Sequence, residues 1–125
     1  MVNQTVPLKA LDFFCSVGGM TSGFENAGIE VIAGVDIDPD CKETYEKNHP
    51  NSKFIQKDIK KLKSNYFIKE MGVQKNDDSL IMIGCSPCQH WTKINTEKGN
   101  SESTKNLLMY FTRFVRYYRP GYVVI

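Results

Sequence analysis

Short apolar runs of strand length alternate along the chain with segments whose apolar residues recur every three to four positions, the pattern of βαβ units around a parallel sheet. The first run, residues 8–14, leads into Gly18 and Gly19. Met20, Phe24 and Ala27 then fall at i, i+4 and i+7, which predicts a short helix closed by Gly28. Glu30–Asp36, rich in Val and Ile, predicts a second strand, after which Asp38 or Asp40 is placed to cap a helix through Cys41 and Tyr45 that stops before Pro50. Lys53–Gln56 reads as a brief third strand, and residues 59–71 as a mostly polar helix followed by a charged link over 74–78. The run SLIMIG, residues 79–84, predicts a buried strand, whereas residues 85–103 are polar and long enough for a functional loop. Leu107, Leu108, Phe111, Phe114, Val115 and Tyr118 form a helical stripe, Pro120 and Gly121 stop it, and residues 122–125 begin a fifth strand.

Five strands joined by right-handed helical crossovers predict an α/β fold, a doubly wound, mostly parallel Rossmann-like sheet in the order 3-2-1-4-5. Its ligand crevice lies beyond the carboxyl ends of strands one and four. Three of the four segments of unusual composition, 14–19, 36–38 and 85–91, fall at carboxyl ends of predicted strands.

Composition narrows the setting. With 125 residues and 41% hydrophobic content the chain is expected to bury one modest core as a single domain, and 24% charged residues with a net charge of +2 exclude a disordered or fibrous chain. The longest apolar stretches are too short to span a bilayer and the first nine residues lack the pattern of a signal peptide, so no membrane association and an intracellular location are expected. Cysteines at 15, 41, 85 and 88 are spaced unevenly, as free thiols are rather than a disulfide framework. The near-neutral balance argues against a free-standing nucleic-acid clamp, since phosphate neutralisation shows as a basic excess.

In DFFCSVGG, residues 12–19, a strand runs into paired glycines and a helix start, where backbone amides approach a ligand without an intervening side chain. A tight turn that merely packs helix on strand accounts for the glycines equally well. Asp36, seventeen residues after Gly19 at the end of the second strand, favours the ligand reading, because an acid there accepts from ribose hydroxyls; the ligand class is adenosine-containing. Asp58, after the third strand, either receives an adenine amino group or caps its loop. The sharpest local feature is GCSPCQHW, residues 84–91, which places Cys88 at the crevice mouth as a candidate thiolate nucleophile. A redox pair of Cys85 and Cys88 is the first alternative, but the preceding glycine pair and ribose-type acid are the wrong context. A zinc site is disfavoured because His90 lies two residues from Cys88 and no second Cys-x-x-Cys exists; no metal is expected.

Taken in order, these segments resemble the motifs of the cytosine-5 DNA methyltransferase family. DFFCSVGGMTSGFENAG (12–28) is similar to its first motif, GVDIDPDCKETYEKNHP (34–50) to its second, KDI (57–59) to its third and SPCQHWT (86–92) to its nucleophile motif, with the 107–120 helix in the place of its fifth. Ser16 stands where the family usually has glycine, His90 follows the Pro-Cys-Gln core, and Thr92 replaces the usual serine.

The resemblance implies S-adenosyl-L-methionine as cofactor and methyl transfer to carbon 5 of cytosine through a covalent adduct on Cys88. It places Phe14, Ser16, Gly18, Gly19, Asp36, Ile37, Asp58, Ile59, Pro87 and Leu107 at the cofactor: Phe14 near the adenine, the two glycines at the methionine part, Asp36 at the ribose with Ile37 against the ring, and Asp58 and Ile59 at the adenine edge. For Leu107 a role in the helix core is the equal alternative. Pro87 and Gln89 are implied at the substrate, double-stranded DNA with a flipped cytosine. The family's Glu-Asn-Val motif, its later arginine-bearing motif and its target-recognition domain are not in this sequence. Residues 1–125 are therefore expected to be the amino-terminal portion of a catalytic domain, truncated before the active site is complete, inactive alone, and either a piece of a longer chain or the partner of a second polypeptide carrying the remaining motifs. A transfer-RNA cytosine methyltransferase and a non-catalytic subunit remain as rival readings.

Overall fold

The computed structural model describes residues 5–87 and 101–125. Strands β1 (Lys9–Phe13), β2 (Glu30–Asp36), β3 (Lys53–Gln56), β4 (Leu80–Gly84) and β5 (Tyr122–Val124) form one sheet in the order β3-β2-β1-β4-β5, and every neighbouring pair is parallel. Helices α1 (Gly19–Asn26), α2 (Lys42–Asn48), α3 (Tyr66–Met71) and α4 (Ser101–Tyr118) lie in the crossovers. The expected order is the observed one, and the predicted second and third strands coincide with β2 and β3.

Side chains of a strand alternate between its faces, so a parallel sheet buried on both sides needs apolar residues at consecutive positions. β4 shows this directly, with Leu80 and Met82 in one core and Ile81 and Ile83 in the other. On the first face Phe13 meets Phe67 of α3 and Phe111 and Phe114 of α4, at ring-centroid distances of 5.6, 5.3 and 5.1 Å. On the opposite face Ala10, Val31, Ile81 and Ile83 pack against Met20 and Phe24 of α1, while Tyr45 of α2 packs with Cys15, Cys41 and Phe54. Helices on both faces make the sheet doubly wound. Among the described residues no helix is long and apolar enough to cross a membrane.

Three local expectations shift. Ala27 is exposed just past the end of α1, and the helix instead turns Thr21 inward, fully buried, so that its hydroxyl donates to Asp12 Oδ2 at 2.7 Å. Asp38 caps a 3-10 turn, Pro39–Cys41, by accepting from the Asp40 amide at 2.9 Å, and α2 begins only after that turn. The predicted 59–71 helix contracts to Tyr66–Met71. Arg113 of α4 donates to the carbonyls of Ile59 and Leu62, at 2.9 and 2.7 Å, and the Tyr118 hydroxyl donates to that of Ser64. Side chains of α4 thus take carbonyls that a continuous helix would need for its own amides.

Candidate active site

The carboxyl ends of β1, β2 and β3 open onto a cavity of about 660 Å³, within the range of about 300–1,000 Å³ usual for small-molecule sites. Eight of the ten residues predicted at the cofactor line it. Phe14 and Ser16 come from the turn after β1, Asp36 and Ile37 from the end of β2, and Asp58 and Ile59 from the segment after β3; Pro87 and Leu107 close the β4–α4 side. Gly18 and Gly19 are not on this wall.

The turn after β1 is built from left-handed backbone. Phe14, Ser16 and Gly18 have φ of 59°, 50° and 98°, which reverses the chain within a few residues of the strand end. The carboxylate of Asp36 holds that turn in place, Oδ2 accepting from the Ser16 amide and Oδ1 from the Asp38 amide, each at 2.9 Å. A carboxylate has about four lone-pair sites, so Asp36 retains acceptors for hydroxyl groups on the cavity side. Asp58 serves its own loop as well: its Oδ1 accepts from the Lys60 amide at 2.9 Å, and its backbone carbonyl takes the amides of Lys61 and Leu62.

Gly18 is required for a different contact. A Cβ there would lie 2.3 Å from Nε2 of His49, whereas one at Gly19 would meet nothing within 4 Å. His49 is itself buried, with Nδ1 2.8 Å from Glu25 Oε2, so Gly18 lets the turn seat on the His49 ring. Gly19 alone of the pair opens onto free space.

Beneath the turn lies a polar chain that sequence reasoning did not find. Asp12 of β1 is fully buried, Thr21 donates to it, the Thr21 and Tyr45 hydroxyls lie 3.1 Å apart, and those of Tyr45 and Ser52 lie 2.7 Å apart. Burial pushes the Asp12 carboxyl up to about 6 against the opposing pull of the Thr21 hydrogen bond, and its Oδ1 has no hydrogen-bond partner among the described residues. The only signal in the sequence was an aspartate set between the apolar residues Ala10, Leu11, Phe13 and Phe14.

The cysteines divide by environment. Cys15 and Cys41 are buried, and burial raises both thiols, which suits inert packing. Cys41 nevertheless reaches the cavity wall, as does the exposed, free thiol of Cys85. Cys88 and Gln89 lie outside the described residues; Pro87, immediately before Cys88 in sequence, is on the wall. With apolar walls from Phe14, Ile37, Ile59 and Leu107 and two carboxylates from Asp36 and Asp58, the cavity fits a ligand joining a planar base to a hydroxylated sugar.

Comparison with known proteins identifies the family. The family model for C-5 cytosine-specific DNA methylases matches residues 8–125. The Type II methylase M.HgiDII of Herpetosiphon aurantiacus is 35% identical over 114 residues, covering 90% of this chain and 30% of its own length. Type II methyltransferase M.FnuDI of Fusobacterium nucleatum is 33% identical, covering 92% of this chain and 30% of its own. The chain thus spans about 30% of the length of these curated relatives. Among solved structures, one described as a DNA modification methyltransferase encoded within an E. coli prophage superposes with a TM-score of 0.70 at 27% identity, over 90% of this chain and 30% of that one. The S. pombe Dnmt2 methyltransferase shares the fold, with a TM-score of 0.59 at 21% identity over 88% of this chain and 32% of that one.

Proposed function

The chain belongs to the C-5 cytosine-specific DNA methylase family, and from that premise we propose that it supplies the cofactor site and nucleophile of an enzyme that methylates carbon 5 of cytosine in duplex DNA, with S-adenosylmethionine as methyl donor. The observation that carries this reading is the single cavity that gathers Phe14, Asp36, Ile37, Asp58 and Ile59 from three strand ends and meets Pro87, the residue preceding Cys88.

Bound S-adenosylmethionine supplies an electrophilic methyl group. Asp36 accepts from the ribose hydroxyls, Asp58 accepts from the adenine amino group, and Phe14, Ile37 and Ile59 exclude water from the base. Carbon 5 of cytosine is a poor nucleophile, so the thiolate of Cys88 adds to carbon 6 and drives electron density onto carbon 5. After methylation, loss of the carbon 5 proton and departure of Cys88 restore the aromatic ring. The target base has to leave the duplex stack for Cys88 to reach it, with Pro87 and Gln89 lining the base pocket.

The reaction also needs a proton donor to ring nitrogen 3. The family resemblance assigns that role to a Glu-Asn-Val motif, which these 125 residues do not contain. Loss of a general acid costs about 10²–10⁴-fold, so the chain alone is inactive and acquires activity with a polypeptide that carries the remaining motifs. The test is transfer of labelled methyl groups to mixed-sequence duplex DNA and to transfer RNA, by this chain alone and by the chain mixed with such a polypeptide. Methylation of DNA only on mixing, abolished by Cys88→Ser, is the expected result. Methylation of transfer RNA alone refutes the DNA assignment, and turnover by the unmixed chain refutes its dependence on the remaining motifs. On 5-fluorocytosine DNA the completed enzyme forms a trapped adduct that Cys88→Ser loses and Cys85→Ser keeps.

A further inference from the structure

The small net charge of the chain conceals a strong local one. Residues 57–69 carry five lysines against one aspartate, while the other 112 residues carry eleven basic and thirteen acidic side chains. The structure folds this segment around a second cavity of about 300 Å³, lined by Lys57, Lys61, Lys63 and Lys69 together with Tyr66, and with Glu70 as its single acid. All four lysines are exposed. The ion pairs among the described residues involve Lys9, Lys47 and His49 and leave these four ammonium groups without a carboxylate partner.

The platform beneath them is held firmly. Arg113 and Tyr118 of α4 bind the carbonyls of Ile59, Leu62 and Ser64, so the backbone that carries Lys60, Lys61 and Lys63 is tied to the core. Like charges held together in this way repel one another, and a polyanion that displaces their counterions relieves the repulsion. Lys57 lines both this cavity and the cofactor cavity, so the basic patch adjoins the candidate active site.

We infer that the cavity lined by Lys57, Lys61, Lys63 and Lys69 is a docking site for the backbone phosphates of duplex DNA, outside the pocket that takes the cytosine. The inference rests on the DNA reading proposed above. Lysine ammonium groups on flexible stems bind phosphates as point charges; such interactions position a duplex and add affinity without reading its sequence. The occupant is a polyanion because four exposed charges line an open groove, an arrangement that gains affinity by counterion release along a charged strand.

The test is fluorescence anisotropy of a labelled mixed-sequence duplex titrated with this chain between about 50 and 200 mM salt, where counterion release is readily measured. It compares wild type with the triple variant Lys61→Ala, Lys63→Ala, Lys69→Ala and with the triple arginine variant at the same positions. Lys57 is left intact because it also lines the cofactor cavity. The alanine variant is expected to bind DNA at least tenfold more weakly, with a salt slope shallower by about 0.9 for each phosphate it no longer neutralises. The arginine variant should retain wild-type affinity, and S-adenosylmethionine binding by calorimetry should be the same in all three. Equal DNA affinity and salt slope in wild type and the alanine variant, or no DNA binding by wild type, overturns the docking site while leaving methyl transfer to DNA to its own assay. Binding of transfer RNA through these lysines without binding of duplex DNA overturns the assignment of the occupant.

Discussion

The backbone amide of Ser16 donates a 2.9 Å hydrogen bond to Oδ2 of Asp36, twenty residues away, and so locks the turn after β1 to the end of β2. With Oδ1 taking the Asp38 amide, one carboxylate organises two segments of the cavity wall. Asp36→Ala removes this brace together with the proposed ribose acceptor. S-adenosylmethionine affinity is expected to fall by about tenfold to more than a hundredfold, the equivalent of roughly 1.5–3 kcal/mol for a charged acceptor. An unchanged dissociation constant by calorimetry would contradict the role.

Ser16 itself sits at φ 50°, a conformation that costs a residue with a Cβ about 1–2 kcal/mol. Glycine avoids this strain but adds about 0.5–1 kcal/mol of chain entropy to be lost on folding. The strain outweighs the entropy, and the Ser16 hydroxyl makes only a 3.8 Å contact with the Cys41 sulfur. Ser16→Gly should therefore stabilise the fold by about 0.5–1 kcal/mol, seen as a higher urea midpoint at constant m-value. A lower midpoint would show that the turn depends on the serine.

Asp12 gives the stability a pH dependence of defined sign. Its carboxyl is raised from 3.8 to about 6 by burial, so between those values the folded protein keeps a proton that the unfolded chain releases. Stability from this group is full below pH 3.8 and declines as pH rises through about 6. At roughly 1.4 kcal/mol per pKa unit the decline is of order 3 kcal/mol. Unfolding midpoints measured from pH 4 to 7 should fall less steeply in Asp12→Asn than in wild type; parallel profiles would rule out Asp12 as the source.

Arg113 holds backbone at the wall of the proposed cofactor cavity. It binds the carbonyls of Ile59 and Leu62, on the segment that begins with Asp58. Hydrogen bonds to charged groups contribute roughly 1.5–3 kcal/mol, so Arg113→Met should destabilise the fold by at least that much. It should also weaken S-adenosylmethionine binding severalfold, with Arg113→Lys intermediate in both. Loss of stability with unaltered cofactor affinity would confine Arg113 to the core.

The local sequence determined the elements whose causes are themselves local. Consecutive apolar residues bounded by glycine, proline or aspartate marked β2, β3 and β4 and, through the handedness of crossovers, the strand order. The ends of β2 and β3 pointed to Asp36 and Asp58, and the family resemblance to Phe14 after β1 and to Pro87 after β4, next to Cys88, which lies outside the described residues. What escaped the sequence depends on partners distant along the chain. The helix expected from residue 59 starts only at Tyr66 because Arg113 and Tyr118 reach back 54 residues to take carbonyls at Ile59 and Ser64. Thr21 points inward because Asp12 and Tyr45 need a hydroxyl between them, and Gly18 is constrained by the His49 ring. Periodicity reports which face a residue occupies. Only tertiary packing decides which buried polar group meets which partner, because a buried donor or acceptor must be paired wherever the fold supplies one.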